Sequence, residues 1–185
     1  MKKLLFMLAA LMVISLSACS QKKEEGTKGK TLIAYFSATG TTMEVAKLLA
    51  DATGGELYRI EPEQPYTEAD LDWTNDQSRS SLEMKDKQSR PVITGKLESV
   101  ADYDVIYLGF PIWWYTAPTI INTFLESYDF TGKTVIPFAT SGSSDIQKAS
   151  DDLKAAYPDI HWLPGKLLNA ATPETVENWV KENQQ

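Results

Sequence analysis

Thr31-Leu32-Ile33-Ala34-Tyr35-Phe36-Ser37-Ala38-Thr39-Gly40-Thr41-Thr42 is the stretch that decides the architecture. Its first half is a short, nearly continuous apolar run, the pattern of a strand buried on both faces of a parallel sheet. Its second half is a polar turn. Met43, Val45, Ala46, Leu48, Leu49 and Ala52 then recur at helical spacing. Gly54-Gly55 follows as a stop where a left-handed residue costs little. The order is strand, hydroxyl-rich loop, helix.

The same alternation continues along the chain. Glu56 to Ile60 reads as a second strand, Asp104 to Phe110 as a third, Thr134 to Ala139 as a fourth and Ile160 to Leu163 as a weaker fifth. Helices are expected over Thr119 to Tyr128, over Asp145 to Tyr157, and from Thr172-Pro173-Glu174, where a hydroxyl N-cap precedes Pro at the first helical position. Strands alternating with helices imply an α/β fold, a doubly wound five-stranded parallel sheet joined by right-handed crossovers. The order 2-1-3-4-5 fits, and it puts the ligand crevice outside the carboxyl ends of strands 1 and 3.

Before this domain stands Met1-Lys2-Lys3, then an apolar run from Leu4 to Leu16 that is short for a bilayer span. Residues 1–18 therefore read as a secretory signal. Leu16-Ser17-Ala18-Cys19 resembles the bacterial lipobox, which makes Cys19 the acylated first residue of the mature chain; the alternative is a chance cysteine beside an ordinary cleavage site. Cys19 is the single cysteine, which excludes a disulfide framework. Residues 19–30 are polar, have no core to build, and read as a flexible tether. Residues 31–185 are long enough for one domain with a sizeable core. The whole chain carries a net charge of −7, and loss of Lys2 and Lys3 with the signal takes this to −9. Such acidity argues against a nucleic-acid partner.

Three loops at strand carboxyl ends carry the chemistry. In Ser37 to Thr42, backbone N–H groups and the positive end of the first helix converge on one point, a place for a phosphate. Ser37, Thr39, Thr41 and Thr42 add hydroxyls, and Gly40 allows close approach. The loop has neither the lysine of a P-loop nor the spaced glycines of a dinucleotide fingerprint. Neutral donors of this kind suit one terminal phosphate; the competing reading is an ordinary Ser/Thr turn with a good N-cap. The second loop, Gly109 to Pro118, contains Pro111, Ile112, Trp113, Trp114 and Tyr115. Consecutive aromatics cannot all enter the core, so at least one faces a flat ligand or solvent. Either tryptophan alone is as readily a packing residue. The third loop, Thr140-Ser141-Gly142-Ser143-Ser144-Asp145, has small residues that admit a ligand edge, and Asp145 or Ser144 offers a cap for the next helix.

Together these segments resemble the flavodoxin family, most closely the flavodoxin-like proteins of bacterial secretomes with a Trp-Trp flavin loop. The resemblance runs from Thr31 to about Val180. It implies FMN, with the phosphate on Ser37, Thr39, Gly40, Thr41 and Thr42. The isoalloxazine then lies between Pro111, Ile112, Trp113 and Trp114 on one side and Thr140, Ser141, Gly142 and Ser143 on the other. One departure stands out: where a short-chain flavodoxin has an acidic, tyrosine-bearing second flavin loop, this chain has Ser and Gly. The excursion from Glu61 to Pro91 is long for a compact domain. It reads either as a lid with Tyr66 or Trp73 near the ring, or as a solvated helix packed by Leu71, Trp73 and Leu82. His161, the only histidine, lies away from the loops, and neither a catalytic triad nor a metal cluster emerges from the spacing.

The expected function is electron transfer between redox proteins on the extracytoplasmic side of a membrane, with the cofactor supplying the chemistry. Aromatic walls and negative charge imply a lowered flavin potential. Two rivals remain at this level: an NAD(P)H-dependent quinone or nitro reductase, and a non-redox lipoprotein that binds a phosphorylated ligand.

Overall fold

The computed structural model describes residues 29–183. The signal segment and Cys19 lie outside them. In chain order the elements are β1 (Lys30–Tyr35), α1 (Thr41–Thr53), β2 (Glu56–Arg59), β3 (Glu61–Pro62), α2 (Arg79–Lys85), β4 (Ile93–Thr94), β5 (Tyr103–Pro111), α3 (Thr119–Glu126), β6 (Thr134–Thr140), α4 (Gln147–Ala156), β7 (His161–Trp162), β8 (Lys166–Leu167) and α5 (Pro173–Glu182). The main sheet runs β2-β1-β5-β6-β7, all parallel, with β8 also pairing β6. This is the expected 2-1-3-4-5 order.

Alternation along the central strands divides the core between two faces, because successive side chains point oppositely. Leu32, Ala34 and Phe36 join Ile106, Leu108 and Phe110 on one face, under Ile120, Ile121 and Phe124 of α3 and Ala149 and Leu153 of α4. Ile33 and Tyr35 join Tyr107, Ile136 and Phe138 on the other, under Val45, Ala46 and Leu49 of α1 and Val176, Trp179 and Val180 of α5. Gly109 is required here: a Cβ on it would stand 2.1 Å from the Phe138 ring. The chain closes as the sequence implied, with the Thr172 side chain capping α5 at the Thr175 N–H and Pro173 following it.

The fifth position differs from the single strand expected at 160–163. It is split into β7 and β8, and the cause lies in its neighbour. Val135 O accepts from Leu163 N at 3.0 Å and Ala139 O from Leu168 N at 2.8 Å, so alternate residues of β6 face this edge. Pro137 has the same parity and no N–H to offer, which leaves a gap in the ladder opposite Pro164-Gly165. α4 also differs at its start. Its N-cap is Ile146, and Asp145 acts one residue earlier, accepting from Gln147 N at 3.0 Å. The excursion contains β3 and the short helix α2, and β4, just past its end, pairs antiparallel with β3.

Candidate functional site

The turn after β1 is shaped by its own serine. The Ser37 hydroxyl oxygen accepts from Gly40 N at 3.1 Å and from Met43 N at 3.2 Å, and Gly40 sits at φ 97°, where only glycine is unstrained. Gly40 is the N-cap of α1 and supplies no side-chain cap. The N–H groups of Thr39, Thr41 and Thr42 consequently have no acceptor among the described residues. Thr39 and Thr41 are exposed, with their hydroxyls 3.5 Å apart. Thr42 is buried instead, and its hydroxyl bonds that of Thr140 at 2.9 Å across 98 residues of chain. Thr42 thus fastens the first loop to the end of β6, so only its N–H is free toward a ligand.

The aromatic loop divides its three rings between two jobs. Trp113 and Thr116 exchange both backbone bonds at 3.0 Å, closing a two-residue turn in which Trp114 has φ 45° and Tyr115 φ 68°. Positive φ at both central positions is the signature of the type I′ turn, which ordinarily takes Asn-Gly. Bulky residues there are strained, and such strain concentrates at functional sites. Trp113 is partly buried, edge-on to Phe36 at 5.6 Å and to Tyr66 at 5.3 Å. Trp114 and Tyr115 stay exposed.

The third loop is held from outside itself. Asn169 grips the Ser141 backbone at both groups: its Oδ1 accepts from Ser141 N at 2.9 Å and its Nδ2 donates to Ser141 O at 2.7 Å. The Ser141 hydroxyl oxygen accepts from Ser144 N at 2.8 Å and from Ser143 N at 3.3 Å, curling the loop. Ile112 N donates to Thr140 O at 2.9 Å, which sets the second and third loops side by side.

Between the loops lies one cavity of about 630 Å³, within the usual range for ligand sites. Thr39 from the first loop, Pro111, Ile112, Trp113, Trp114 and Tyr115 from the second, and Ser141, Gly142, Ser143 and Ser144 from the third line it. The excursion adds Leu71, Trp73 and Ser80. Ser37, Gly40, Thr41, Thr42 and Thr140 stand behind or beside it, and a shallower groove continues over Thr39, Gly40 and Thr41 toward Leu48 and Ala171. Trp73 is 75 % exposed and Leu82 48 %, so neither packs a solvated helix; Trp73 borders the cavity mouth. Tyr66 turns inward, away from the cavity, and packs on Phe36 and Trp113.

Sequence reasoning gave Leu71 and Ser144 other roles, left Tyr115 as one of three aromatics of which at least one faces a ligand or solvent, and did not single out Ser80 or Asn169. The aromatic character of Tyr115 was visible, whereas Asn169 gave no local signal, since its partner is 28 residues away.

Among the described residues no charged side chain lines the cavity. One strongly perturbed group, Tyr66, packs on its wall through Trp113. The Tyr66 phenol is pushed well above its ordinary range, first by burial and then by the Glu83 carboxylate that accepts its hydrogen bond. Among the described residues no cluster of His, Cys, Asp and Glu offers a metal site, and no helix is long and apolar enough to cross a membrane.

A doubly wound sheet whose switch-point crevice joins free N–H donors to aromatic walls has the geometry of a site for a phosphate-bearing planar ligand. The sequence profile of the flavodoxin family matches residues 30–183, and the chain belongs to that family. It is similar to the crystal structure of a Bacteroides uniformis protein assigned as a flavoprotein, with 61% identity and TM-score 0.81 over 83% of this chain and 98% of that one. A Bacteroides eggerthii protein with the same assignment shares 52% identity at TM-score 0.82, over 84% of this chain and 98% of that one. A Lactobacillus acidophilus flavoprotein, solved in complex with FMN, shares the fold at 20% identity and TM-score 0.65, over 85% of this chain and 99% of that one. No curated protein matches the chain.

Proposed function

We propose that this chain binds FMN across the three loops and passes electrons between redox partners on the outer side of a bacterial membrane, to which Cys19 anchors it. One observation carries the reading: a neutral, aromatic-walled cavity that meets a lysine-free loop with free N–H groups at Thr39, Thr41 and Thr42. When bound, the isoalloxazine supplies the redox chemistry. The Thr39, Thr41 and Thr42 N–H groups and the α1 dipole hold the phosphate without a cation. Trp113 and Trp114 form an apolar wall that keeps water from the ring, and Ser141 to Ser143 bring small polar groups to its edge. No general base is needed from the protein for this chemistry.

The absence of any cation along the cavity favours the neutral over the negatively charged reduced ring, so a potential below that of free FMN is expected. Reductive titration of the loaded protein tests this, and a potential at or above that of free FMN refutes it. A second reading, an NAD(P)H-dependent quinone or nitro reductase, draws support from the exposed Trp73 and Tyr115 at the mouth, where a second planar ring has aromatic contacts. Fast, saturable NADPH oxidation with quinone would select it over the carrier. The anchor rests on the order of charge, apolar run, small residues and Cys19. Cys19→Ala should move the protein from the membrane to the soluble fraction; unchanged membrane retention refutes the anchor.

A further inference from the structure

The cavity wall has a back side, where three aromatic rings meet a carboxylate and a guanidinium. Trp113 lines the cavity, and its ring centroid lies 5.3 Å from that of Tyr66. Phe36 contacts both rings, at 5.6 and 5.7 Å, and seals the pair from the sheet below. The Tyr66 hydroxyl donates to one carboxylate oxygen of Glu83, while Arg79 Nε donates to the other at 2.7 Å. The same guanidinium lies over the Tyr66 ring at 4.0 Å, and its Nη1 donates to Gln64 O at 2.6 Å. Glu83 and Arg79 are 12% and 22% exposed. Tyr66, Glu83 and Arg79 do not line the cavity and are not needed to hold a phosphate or a flat ring.

An aromatic staple for the excursion needs only the ring of Tyr66. The hydroxyl and its carboxylate acceptor add something specific: a path for the phenolic proton when an electron leaves. A positive guanidinium on the ring face opposes a ring cation, so electron loss from Tyr66 must be accompanied by proton loss. Glu83 is the carboxylate in hydrogen-bond contact to receive that proton.

We propose that Trp113, Tyr66 and Glu83 form a relay that carries oxidising equivalents out of the cavity wall. A Trp113 radical cation takes one electron from Tyr66, and the Tyr66 proton moves to Glu83. The products are neutral Trp113, a neutral Tyr66 phenoxyl radical and protonated Glu83, so charge and atoms balance. The initiating oxidant is any one-electron oxidant that reaches the cavity. Only its identification with a photoexcited flavin rests on the FMN reading. A second pair provides an internal control: Trp179 and Tyr107 lie 5.5 Å apart on the other face, but the Tyr107 hydroxyl meets no carboxylate among the described residues.

Pulse radiolysis of the chain without FMN tests the relay, using the azide radical to oxidise tryptophan. The tryptophan radical signal should decay as a tyrosyl signal grows, at a rate independent of protein concentration. Tyr66→Phe should remove that growth, and Tyr107→Phe should leave it. Glu83→Gln keeps an acceptor for the phenol but a far weaker base, and should slow the growth about a hundredfold, the scale of a positioned proton acceptor. Persistence of the tyrosyl signal in Tyr66→Phe, or an unchanged rate in Glu83→Gln, overturns the proposal. Loss of the native fold in either variant is read from circular dichroism, and Tyr66→Phe retains the ring stack if Glu83→Gln fails. Blue-light excitation of the FMN-loaded chain gives the second arm. Absence of the tyrosyl signal there, with success in the first arm, overturns the identification of photoexcited flavin as the oxidant and leaves the relay standing, whereas failure of the chain to load FMN at all faults the FMN reading.

Discussion

The aromatic turn places stability and binding in opposition at one residue, Tyr115. At φ 68° it occupies the left-handed region, which costs a side-chain-bearing residue about 1–2 kcal/mol. Its ring is 65 % exposed and returns little through burial. Tyr115→Gly removes the strain, while the added freedom of glycine in the unfolded chain subtracts about 0.5–1 kcal/mol. The net expectation is a gain of roughly 0.5–1 kcal/mol, which at 2–4 °C per kcal/mol for a domain of this size raises Tm by about 1–4 °C. The same change deletes part of the cavity wall. Flavin affinity should fall by about 1 kcal/mol, the scale of one aromatic pairing. Calorimetry of the cofactor-free protein and a fluorescence titration with FMN read the two effects separately. Tyr115→Ala is the control, because it loses the ring but keeps the strain, so its Tm should not rise. A lower Tm for Tyr115→Gly, or an unchanged FMN affinity, would refute the reasoning.

Three further outcomes follow from the same geometry. Thr42→Val leaves the buried Thr140 hydroxyl without its partner and should cost about 1–3 kcal/mol; Thr42→Val with Thr140→Val should cost less than the sum, and strict additivity in denaturant melts would contradict the bond. Asn169→Leu removes both bonds on Ser141 and should weaken FMN binding by about 1–2 kcal/mol, with a smaller loss in thermal stability; equal binding would show that the third loop needs no external brace. Arg90 holds the Glu126 carboxyl below its ordinary range, so this pair adds stability above the unfolded carboxyl range and loses it as pH falls toward the folded value. Glu126 is 44% exposed, so the contribution stays under about 1 kcal/mol. The stability gap between wild type and Glu126→Gln should shrink in acid, and a gap that widens would contradict the assignment.

The parts of this protein that were legible in its sequence are those written locally. The run from Thr31 to Phe36 has the pattern of a doubly buried strand, and the turn after it marked a helix start by composition. The loops were found because they end strands. What the sequence left hidden depends on partners far along the chain. The Thr42 and Thr140 hydroxyls look equally available until the fold joins them across 98 residues. The fifth strand breaks because Pro137 sits on the neighbouring strand with its missing donor facing that edge, a fact of register. Tyr66 and Trp73 are close in sequence and were equal candidates for the ring. The bond to Glu83 turns Tyr66 inward, and Trp73 is left at the mouth.

The central claim is that the first loop binds a phosphate and the cavity binds the ring attached to it. Parallel titrations of the purified chain with FMN and with riboflavin, followed by tryptophan quenching, separate the two parts. FMN should bind with one site per chain at about micromolar concentration or below, some −8 kcal/mol or tighter, and riboflavin should bind clearly more weakly. Equal affinity for the two would remove the phosphate site, and no binding of FMN would contradict the account as a whole.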